Sequence, residues 1–303
     1  MKILITGATG LVGTELVSLL HHHKHDIHYL STSKDKLHNE GHLKGFYWNP
    51  QKGEIDQSAF FGVETIVHLA GASISKRWTK KYKQEVIESR VLSADLIFNT
   101  LKNHSHKVKQ FVSASAIGIY PDSLKVVYTE ENKSIDDGFL GHVVEKWEKS
   151  ADKFKLLNIK VCKLRTGLVL SEKGGAMAEM VKPIKWGIGA PFGNGKQYQS
   201  WIHIHDLVEM YRAAIEDNWE GTFNAVAPNP VTNKELTVAI AHALKKPLFM
   251  PNIPEFLMQL VLGEMHQLLF SSQNVSARKA QGKGFKFEYE RLEKALNNLL
   301  PSK

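Results

Sequence analysis

Cysteine is almost absent from this chain. The 303 residues include one cysteine, Cys162, so no internal disulfide can form, and no cysteine or histidine stands near it at the spacing of a metal site. We expect Cys162 to be a buried small side chain in a protein of a reducing compartment. The sequence predicts no metal ion.

The sequence also lacks a long apolar run. No stretch reaches the roughly eighteen apolar residues that a membrane-spanning helix needs. The first strand pattern starts at once, without the basic region, apolar region and small-residue cleavage site of a secretory signal. We therefore expect a cytoplasmic protein that makes no contact with a membrane.

Positive charge is in excess but is not concentrated anywhere. Lysine and arginine number 39 against 31 aspartates and glutamates, a formal net charge of +8. No predicted helix carries a basic stripe with interleaved aromatic residues, so we expect no nucleic-acid partner. The excess is explained more simply by an anionic cofactor or small-molecule substrate.

The opening stretch MKILITGATGLVG contains the clearest motif. An apolar run predicts a buried parallel strand, three glycines follow at three-residue spacing, and a helical pattern begins at Leu11. Gly7 suits a tight turn, Gly10 lets a pyrophosphate approach the main chain, and Gly13 lets the helix lie close to the strand. The free N–H groups at the helix start would face the phosphates.

The end of the second predicted strand, over 27–30, bears on the choice of cofactor. An acidic residue there would bind the adenosine ribose hydroxyls of NAD, whereas hydroxyls and cations accommodate the 2′-phosphate of NADP. The sequence offers Ser31, Thr32, Ser33 and Lys34 before the first acid, Asp35. NADP is favoured over NAD.

Three further strands are predicted, and the residues at the ends of the first two are expected to complete the nucleotide-binding edge of the sheet. Strand 64–69 ends in small residues, so Leu69, Ala70 and Gly71 are expected to line the adenosine ribose. A long helix is predicted over 79–103, and strand 109–115 ends in serines that could donate to a substrate oxygen. A long strand over 159–170 follows.

The carboxyl-terminal third changes in character. A short strand is predicted over 197–203, followed by a helix over 207–215 that Asp206 could cap. Thr232 and Glu235 form a capping-box pattern. An amphipathic helix is predicted over 254–273, whose methionines and aromatics are expected in the core of a second lobe. Some exposed apolar surface would support a homodimer.

Several longer segments resemble one known family. They are TGATGLVG at the start, HLAGASI, ESR at 88–90, SASAIGIY at 113–120, RTGLVLSEKGGAM at 165–177, GNGKQYQSWIHIHDLV at 193–208, and LGEMHQLLFSSQNV near the end. In these the chain is similar to the atypical extended short-chain dehydrogenase/reductases of the NAD(P)-dependent epimerase/dehydratase superfamily. The matching subgroup is described as nucleoside-diphosphate-sugar epimerase-like or cell-division-inhibitor homologues.

That resemblance implies a fold and a cofactor site. The fold would be α/β, a Rossmann doubly wound parallel sheet over 1–169 that takes back a segment near 198–225. A smaller, mostly helical substrate lobe would occupy 170–303. The cofactor residues predicted from the motifs and the resemblance are Gly7, Thr9, Gly10, Leu11, Val12, Gly13, Ser31, Thr32, Leu69, Ala70, Gly71, Glu85, Arg90 and Ser113.

The chain departs from the family at two places. Relatives commonly carry arginine where this chain has Thr32, so the phosphate clamp would fall to Ser31, Ser33 and Lys34. The superfamily uses a tyrosine with a lysine four residues later, assisted by a serine that Ser115 matches. The segment 139–150 contains no tyrosine.

Two alignments of segment 139–150 are open. Placing the family's helix glutamate on Glu148 puts Leu140 and Val144 at the tyrosine and lysine positions, whereas a shift of two places His142 and Lys146 there. Tyr120 is a further candidate acid. The candidate catalytic residues are thus Ser115, His142 and Tyr120.

Two functional hypotheses follow. The first is an NADP(H)-binding oxidoreductase or epimerase that acts on a small polar substrate, either free or nucleotide-linked, with Ser115 polarising the reacting oxygen. The second is a non-catalytic NADP(H)-binding sensor or scaffold that has lost the tyrosine and lysine.

Overall fold

The computed structural model describes residues 1–300. The strands are β1 (Lys2–Thr6), β2 (Asp26–Ser31), β3 (Asn39–Glu40), β4 (Leu43–Asn49), β5 (Glu54–Ile55), β6 (Thr65–His68), β7 (Gln110–Ala116), β8 (Val127–Tyr128), β9 (Lys160–Thr166), β10 (Leu168–Leu170), β11 (Tyr198–Gln199), β12 (Trp201–His203), β13 (Gly221–Ala225), β14 (Val231–Thr232) and β15 (Asn274–Val275). The helices are α1 (Leu11–His22), α2 (Lys80–Asn103), α3 (Phe139–Asp152), α4 (Gly175–Lys185), α5 (Ile204–Glu216), α6 (Asn233–Ala243), α7 (Glu255–Leu262), α8 (Gln267–Phe270), α9 (Arg278–Gly282) and α10 (Leu292–Leu299).

The centre of the molecule is a sheet whose strands run in the order β13-β9-β7-β6-β1-β2-β4. Every neighbouring pair along this path is parallel. The order reverses at β1, with β2 and β4 on one side and β6, β7, β9 and β13 on the other. This is the predicted doubly wound α/β fold, and its carboxyl edge beside β1 is where such sheets bind ligands.

Side chains of the central strands alternate between two cores. Ile3 and Ile5 of β1 join the core beneath α1 and α5, whereas Leu4 joins the core beneath α2. Cys162 is fully buried in the first core, and burial raises the pKa of its thiol to about 12. The prediction that Cys162 is buried is confirmed.

The single strand predicted over 159–170 is wrong, because the chain changes sheets at Gly167. β9 pairs with β7, and β10 pairs instead with β12. The Gly167 N–H donates to Ala225 O, and a Cβ there would lie 2.2 Å from Ser200 O. Only glycine permits this close crossing of two backbones.

A third group of buried side chains lies among the carboxyl-terminal elements. Met177 of α4, Leu236 of α6, Leu296 of α10 and Trp201 of β12 pack together. The capping box of α6 is confirmed: Thr232 accepts from the Glu235 N–H, and Glu235 accepts from the Thr232 N–H. The predicted division at residue 169/170 stays a prediction, and the end of the predicted smaller lobe, 301–303, lies outside the described residues.

Two other expectations for the carboxyl-terminal third are wrong. Helix α5 starts at Ile204 with His203 as its cap, so Asp206 lies inside the first turn. Its carboxylate accepts the N–H groups of Glu288 and Tyr289 instead, at 2.9 Å each. The helix predicted over 254–273 is broken at Gly263, which has a φ of 59°, and α7 and α8 bury none of their residues.

Candidate functional site

The glycine turn between β1 and α1 is packed to backbone contact. Gly7 has a φ of 73°, and a Cβ there would lie 2.8 Å from the carbonyl carbon of Leu69. A Cβ on Gly13 would lie 2.1 Å from Gly7 O. Both glycines are therefore required by the close approach of strand, turn and helix.

The start of α1 is left without a side-chain cap. Gly10 is the N-cap residue and has no side chain to accept the first N–H groups, and the first turn contains no acidic residue. Thr9 and Gly10 are exposed, and Leu11 and Val12 are half-buried beside them. Free N–H groups at a helix start favour an anion, so the turn fits a pyrophosphate.

The end of β6 is held against the turn by Thr6, a residue that was not among those predicted for the site. The hydroxyl of Thr6, fully buried, accepts the N–H groups of Leu69 and Ala70 at 3.2 and 3.1 Å. This bond holds the loop after β6 beside Gly7. A lone hydroxyl at the end of the apolar run KILIT was the signal for it.

Arg90 of α2 lies directly behind this loop. Its guanidinium donates to Ala72 O and Val86 O, stacks 4.8 Å from the Trp147 ring, and leaves Nε without a partner. A Cβ on Gly71 would lie 2.9 Å from the guanidinium carbon.

Arg90 is only 8% exposed, and no acidic side chain in residues 1–300 forms an ion pair with it. Burial lowers its pKa to about 10. A buried cation without a counterion favours an anionic ligand.

Two predicted cofactor residues, Glu85 and Ser113, do not present their side chains to the loop after β6. Glu85 is exposed and lines an outer concavity with Gln51, Lys80 and Lys81, so it does not meet Arg90 in the buried loop. Ser113 is buried in β7, and its hydroxyl donates to Ala114 O at 2.8 Å. The structure groups the glycine turn with the β6 loop and Arg90, and leaves Glu85 at the periphery.

The end of β2 presents hydroxyls and one free cation. The Ser31 hydroxyl donates to Ser33 O and accepts from the Ser33 N–H, so it closes a local turn. Thr32 is exposed, and Lys34 lies over the Tyr47 ring at 5.1 Å. Of the residues at the end of β2, Thr32, a predicted cofactor residue, and Lys34, a predicted phosphate residue, are open to solvent.

Farther along the same edge, Ser115 of β7 belongs to a buried ionic network. Its hydroxyl donates to Glu148 of α3 at 2.6 Å. Arg165 of β9 holds the same carboxylate with two N–H···O bonds of 2.8 and 2.9 Å, and Lys163 lies 3.7 Å away. These partners keep the pKa of Glu148 below its usual value despite burial.

Tyr120 completes the network. Its hydroxyl accepts from Arg165 at 2.9 Å and donates to Asn224 of β13 at 2.8 Å, and burial raises its pKa. The tyrosine is fully buried and shares both hydrogen bonds with protein groups. It fits a packing role better than that of a proton donor to substrate.

The candidate pair His142 and Lys146 lies on the opposite face of α3. Both side chains are exposed, whereas Val144 and Glu148 point inward. Leu140 faces the β7 end, since a Cβ on Gly118 would lie 3.4 Å from Leu140 Cβ. The alignment with Leu140 and Val144 at the tyrosine and lysine positions agrees with this geometry, and the structure does not bring His142 to Ser115.

No group of three or more His, Cys, Asp or Glu side chains in residues 1–300 has the geometry of a metal site. The carboxyl edge contains a candidate dinucleotide site, made of a glycine turn, a helix start and a buried arginine, and a buried ionic network lies next to it. Fold and turn together define a protein of the Rossmann dinucleotide-binding class.

Comparison with known proteins assigns the family. The sequence profile of the NAD dependent epimerase/dehydratase family matches residues 3–225, and a domain of unknown function, DUF1731, matches residues 253–299. The chain belongs to the NAD-dependent epimerase/dehydratase family.

Relatives align along the whole chain. An epimerase family protein of Staphylococcus aureus is 36% identical over 301 residues, covering 99% of both chains. One from Staphylococcus epidermidis is 35% identical with the same coverage. A crystal structure of human epimerase family protein SDR39U1 with NADPH has a TM-score of 0.87 and 28% identity, over 100% of both chains. A nucleoside-diphosphate sugar epimerase from Corynebacterium glutamicum has a TM-score of 0.80 and 27% identity, over 99% of this chain and 58% of that one.

Proposed function

We propose that this protein is an NADP(H)-dependent oxidoreductase or epimerase that acts on a small polar, nucleotide-linked substrate. The observation that carries the proposal is the carboxyl edge beside β1. There the uncapped start of α1 and the unpaired guanidinium of Arg90 face the same loop, 69–72. A dinucleotide supplies the anionic phosphates that such a site lacks.

The residues that follow β2 are the reason why we propose NADP rather than NAD as the cofactor. No acidic side chain stands at 31–34 to bind the adenosine ribose hydroxyls, while Thr32 and Lys34 are exposed there. The human relative was crystallised with NADPH, which agrees with this preference. Ser31 contributes to this cofactor preference indirectly, because its hydroxyl holds the turn that carries Thr32 and Lys34.

The nicotinamide ring, when bound, supplies hydride exchange with a substrate carbon. Ser115 then orients the substrate oxygen. Because its proton is donated to Glu148 at 2.6 Å, the hydroxyl oxygen keeps lone pairs that accept from a substrate O–H. The arrangement favours a substrate presented as an alcohol over one presented as a carbonyl.

A second function is favoured by the same network. Ser115 is 2% exposed, Tyr120 is fully buried, and both hydroxyl protons are already donated within the protein. A protein that binds NADP(H) without turnover, as a sensor or scaffold, needs no proton donor at this position.

Binding and turnover of the same preparations separate these functions. NADPH fluorescence titrations measure binding, and absorbance at the nicotinamide band follows hydride transfer with nucleotide-linked alcohols and sugars. If the enzyme proposal is right, Ser115→Ala lowers kcat about tenfold or more while NADPH affinity stays within about twofold. Ser150→Ala is the matched control, because Ser150 is a buried serine of α3 that donates to Trp147 O.

Three results decide between them. Turnover that Ser115→Ala reduces and Ser150→Ala does not supports the enzyme. NADPH binding with no turnover on any substrate assigns the sensor or scaffold. Failure to bind either dinucleotide refutes both.

A further inference from the structure

Lys34, the exposed cation after β2, lies on a short segment whose start is fixed by β2 itself. The residues Lys34–Lys36 form a single turn of 3₁₀ helix. Just before this turn, the Ser31 hydroxyl donates to the carbonyl of Ser33 and accepts its N–H, at 3.1 and 3.2 Å. The chain that enters the turn is therefore tied to the last residue of β2.

The end of the same segment is fixed by Tyr29, a residue of β2 that is only 2% exposed. The Tyr29 hydroxyl donates to Lys36 O and accepts the His38 N–H, at 2.7 Å each. Both hydrogen-bonding roles of the hydroxyl are thus used on backbone groups that follow Lys34. The backbone of Lys34 is held before and after the turn by side chains of one strand.

A glycine of β4 gives the Tyr29 ring its path to this segment. The strands β2 and β4 are parallel neighbours, and Gly45 is the partner of Tyr29 in their register. A Cβ on Gly45 would lie 2.6 Å from both Cζ and the hydroxyl oxygen of Tyr29. The ring therefore crosses β4 at the position where that strand has no side chain.

Tyr47, two residues farther along β4, supports the side chain of Lys34. It is the register partner of Ser31, so it lies on the same face of the sheet as Tyr29. The Lys34 ammonium lies 5.1 Å from the centroid of the Tyr47 ring, within the range of a cation–π contact. One tyrosine thus fixes the backbone around Lys34, and another supports its charged end.

We propose that Tyr29 and Tyr47 are positioning residues for the choice of dinucleotide, because they hold Lys34 ready for the 2′-phosphate of NADP. This inference rests on the proposed function, in which Lys34 makes that contact. An exposed lysine gains little from a single phosphate, since ordering its long side chain costs rotamer entropy. A lysine that is already placed loses less freedom on binding, so the same contact contributes more affinity. Both tyrosines act through Lys34.

Two substitutions remove these supports separately. Tyr29→Phe removes only the hydroxyl and keeps the ring in the core, whereas Tyr47→Leu removes the half-buried ring beneath the lysine. Dissociation constants of NADPH and NADH are measured on the full-length protein by fluorescence titration. We expect each variant to weaken NADPH about threefold and to change NADH by less than about 1.5-fold. Neither loss should exceed that of Lys34→Ala, since both tyrosines act through that lysine.

A double-mutant cycle separates positioning from packing. In the Lys34→Ala background, Tyr29→Phe and Tyr47→Leu should leave the NADPH affinity unchanged, because the group that they position is absent. Tyr211→Phe is the matched control, since Tyr211 is a buried tyrosine of the same core but belongs to α5. It should keep the wild-type ratio of NADPH to NADH affinity. Thermal midpoints show that each variant is folded, and Tyr47→Leu tests the proposal independently of Tyr29.

Other outcomes overturn the proposal. Equal weakening of NADPH and NADH by Tyr29→Phe and Tyr47→Leu would assign both tyrosines to packing alone. Losses that persist undiminished in the Lys34→Ala background would mean that the tyrosines do not act through this lysine. Both results leave the proposed function standing. A wild-type protein that binds NADH at least as tightly as NADPH would instead refute the proposed NADP preference, and this inference with it.

Discussion

The carboxyl edge of the sheet has two parts, one around the glycine turn and one around Ser115, and they differ in whether their polar groups have partners within the protein. Around the glycine turn, donors are left free: the first N–H groups of α1 have no cap, and Arg90 has no counterion. Around Ser115, Arg165 and Glu148 neutralise each other, and the hydroxyl protons of Ser115 and Tyr120 are taken up. The first half presents donors without a partner, whereas the charges and hydroxyl protons of the second half are paired within the protein.

Under the proposed function, cofactor binding and proton transfer would therefore depend on two separate groups of residues. The glycine turn depends on backbone geometry that few substitutions preserve. The network depends on side chains that hold three strands and a helix together whether or not a reaction occurs. Variants of each half should therefore fail in different measurements.

The largest effect is expected from breaking the network. Arg165→Met leaves the Glu148 carboxylate buried with Lys163 at 3.7 Å as its remaining cationic partner. We expect a loss of about 3 kcal/mol in the free energy of unfolding, measured by urea denaturation. Glu148→Leu combined with Arg165→Met should recover most of it.

Arg212→Met is the control for that substitution. Arg212 also pairs with two glutamates, Glu209 and Glu216, but its side chain is 28% exposed. A loss below about 1 kcal/mol is expected there. Equal losses at Arg165 and Arg212 would mean that burial does not distinguish the network from a surface ion pair.

The next effect tests the glycine turn. Gly13→Ala places a Cβ 2.1 Å from Gly7 O, so the turn must open. We expect about a hundredfold weaker NADPH binding in fluorescence titrations, with about 1–3 kcal/mol of lost stability. Gly282→Ala, where nothing lies within 4 Å, should change neither quantity. Full NADPH affinity in Gly13→Ala would show that the turn does not form the binding site.

The third effect concerns pH. Burial lowers the pKa of His68, which contacts Ser93 at 2.8 Å, from 6.5 to about 3. The unfolded chain binds a proton there below pH 6.5 and the folded protein does not, so stability falls as the pH drops. From pH 6.5 to about pH 5 this loss is about 2 kcal/mol.

His68→Leu should reduce the pH dependence of stability in urea denaturation at the two pH values, and should leave a contribution of nearly the same size from His203, whose pKa burial lowers to about 4. His22→Gln changes an exposed side chain of α1 and should keep the slope. A slope that His68→Leu does not alter would assign the acid sensitivity to other groups.

The smallest effect concerns the choice of dinucleotide. Lys34→Ala removes the exposed cation after β2 and should weaken NADPH about fivefold while NADH changes little. Lys36→Ala, two residues on and also exposed, is the control. Equal weakening of NADPH and NADH by Lys34→Ala would contradict a 2′-phosphate contact.

The sequence predicted β1, β2, β6 and β7, the glycine turn and the family, because each depends on local patterns. The pattern over 79–103 predicted α2 with an error of one residue, and Thr79 is its cap. The sheet change at Gly167 was missed, because it depends on Ser200 and Ala225, which are distant in sequence. The exposure of α7 was missed for the same reason. A periodic apolar pattern predicts a helix, but its apolar face is buried only where another element covers it, and the sequence pattern does not show that element.

The roles of single polar residues were the hardest to predict. Ser115 and Tyr120 are reactive types of side chain near the end of a strand. Their sequence neighbours do not reveal that both hydroxyl groups are hydrogen-bonded within the protein, to Glu148, Arg165 and Asn224. Such partners come from three different elements. A chemical role can therefore be assigned to a hydroxyl only when its hydrogen-bond partners are known.

The carboxylate of Asp206 has a consequence for the order of folding during synthesis. Its two acceptors are filled by N–H groups of residues 288 and 289, which leave the ribosome about eighty residues later. Until then the carboxylate lacks the two N–H donors that satisfy it in the folded protein, so we expect this part of α5 to become buried only after residues 288 and 289 have been synthesised.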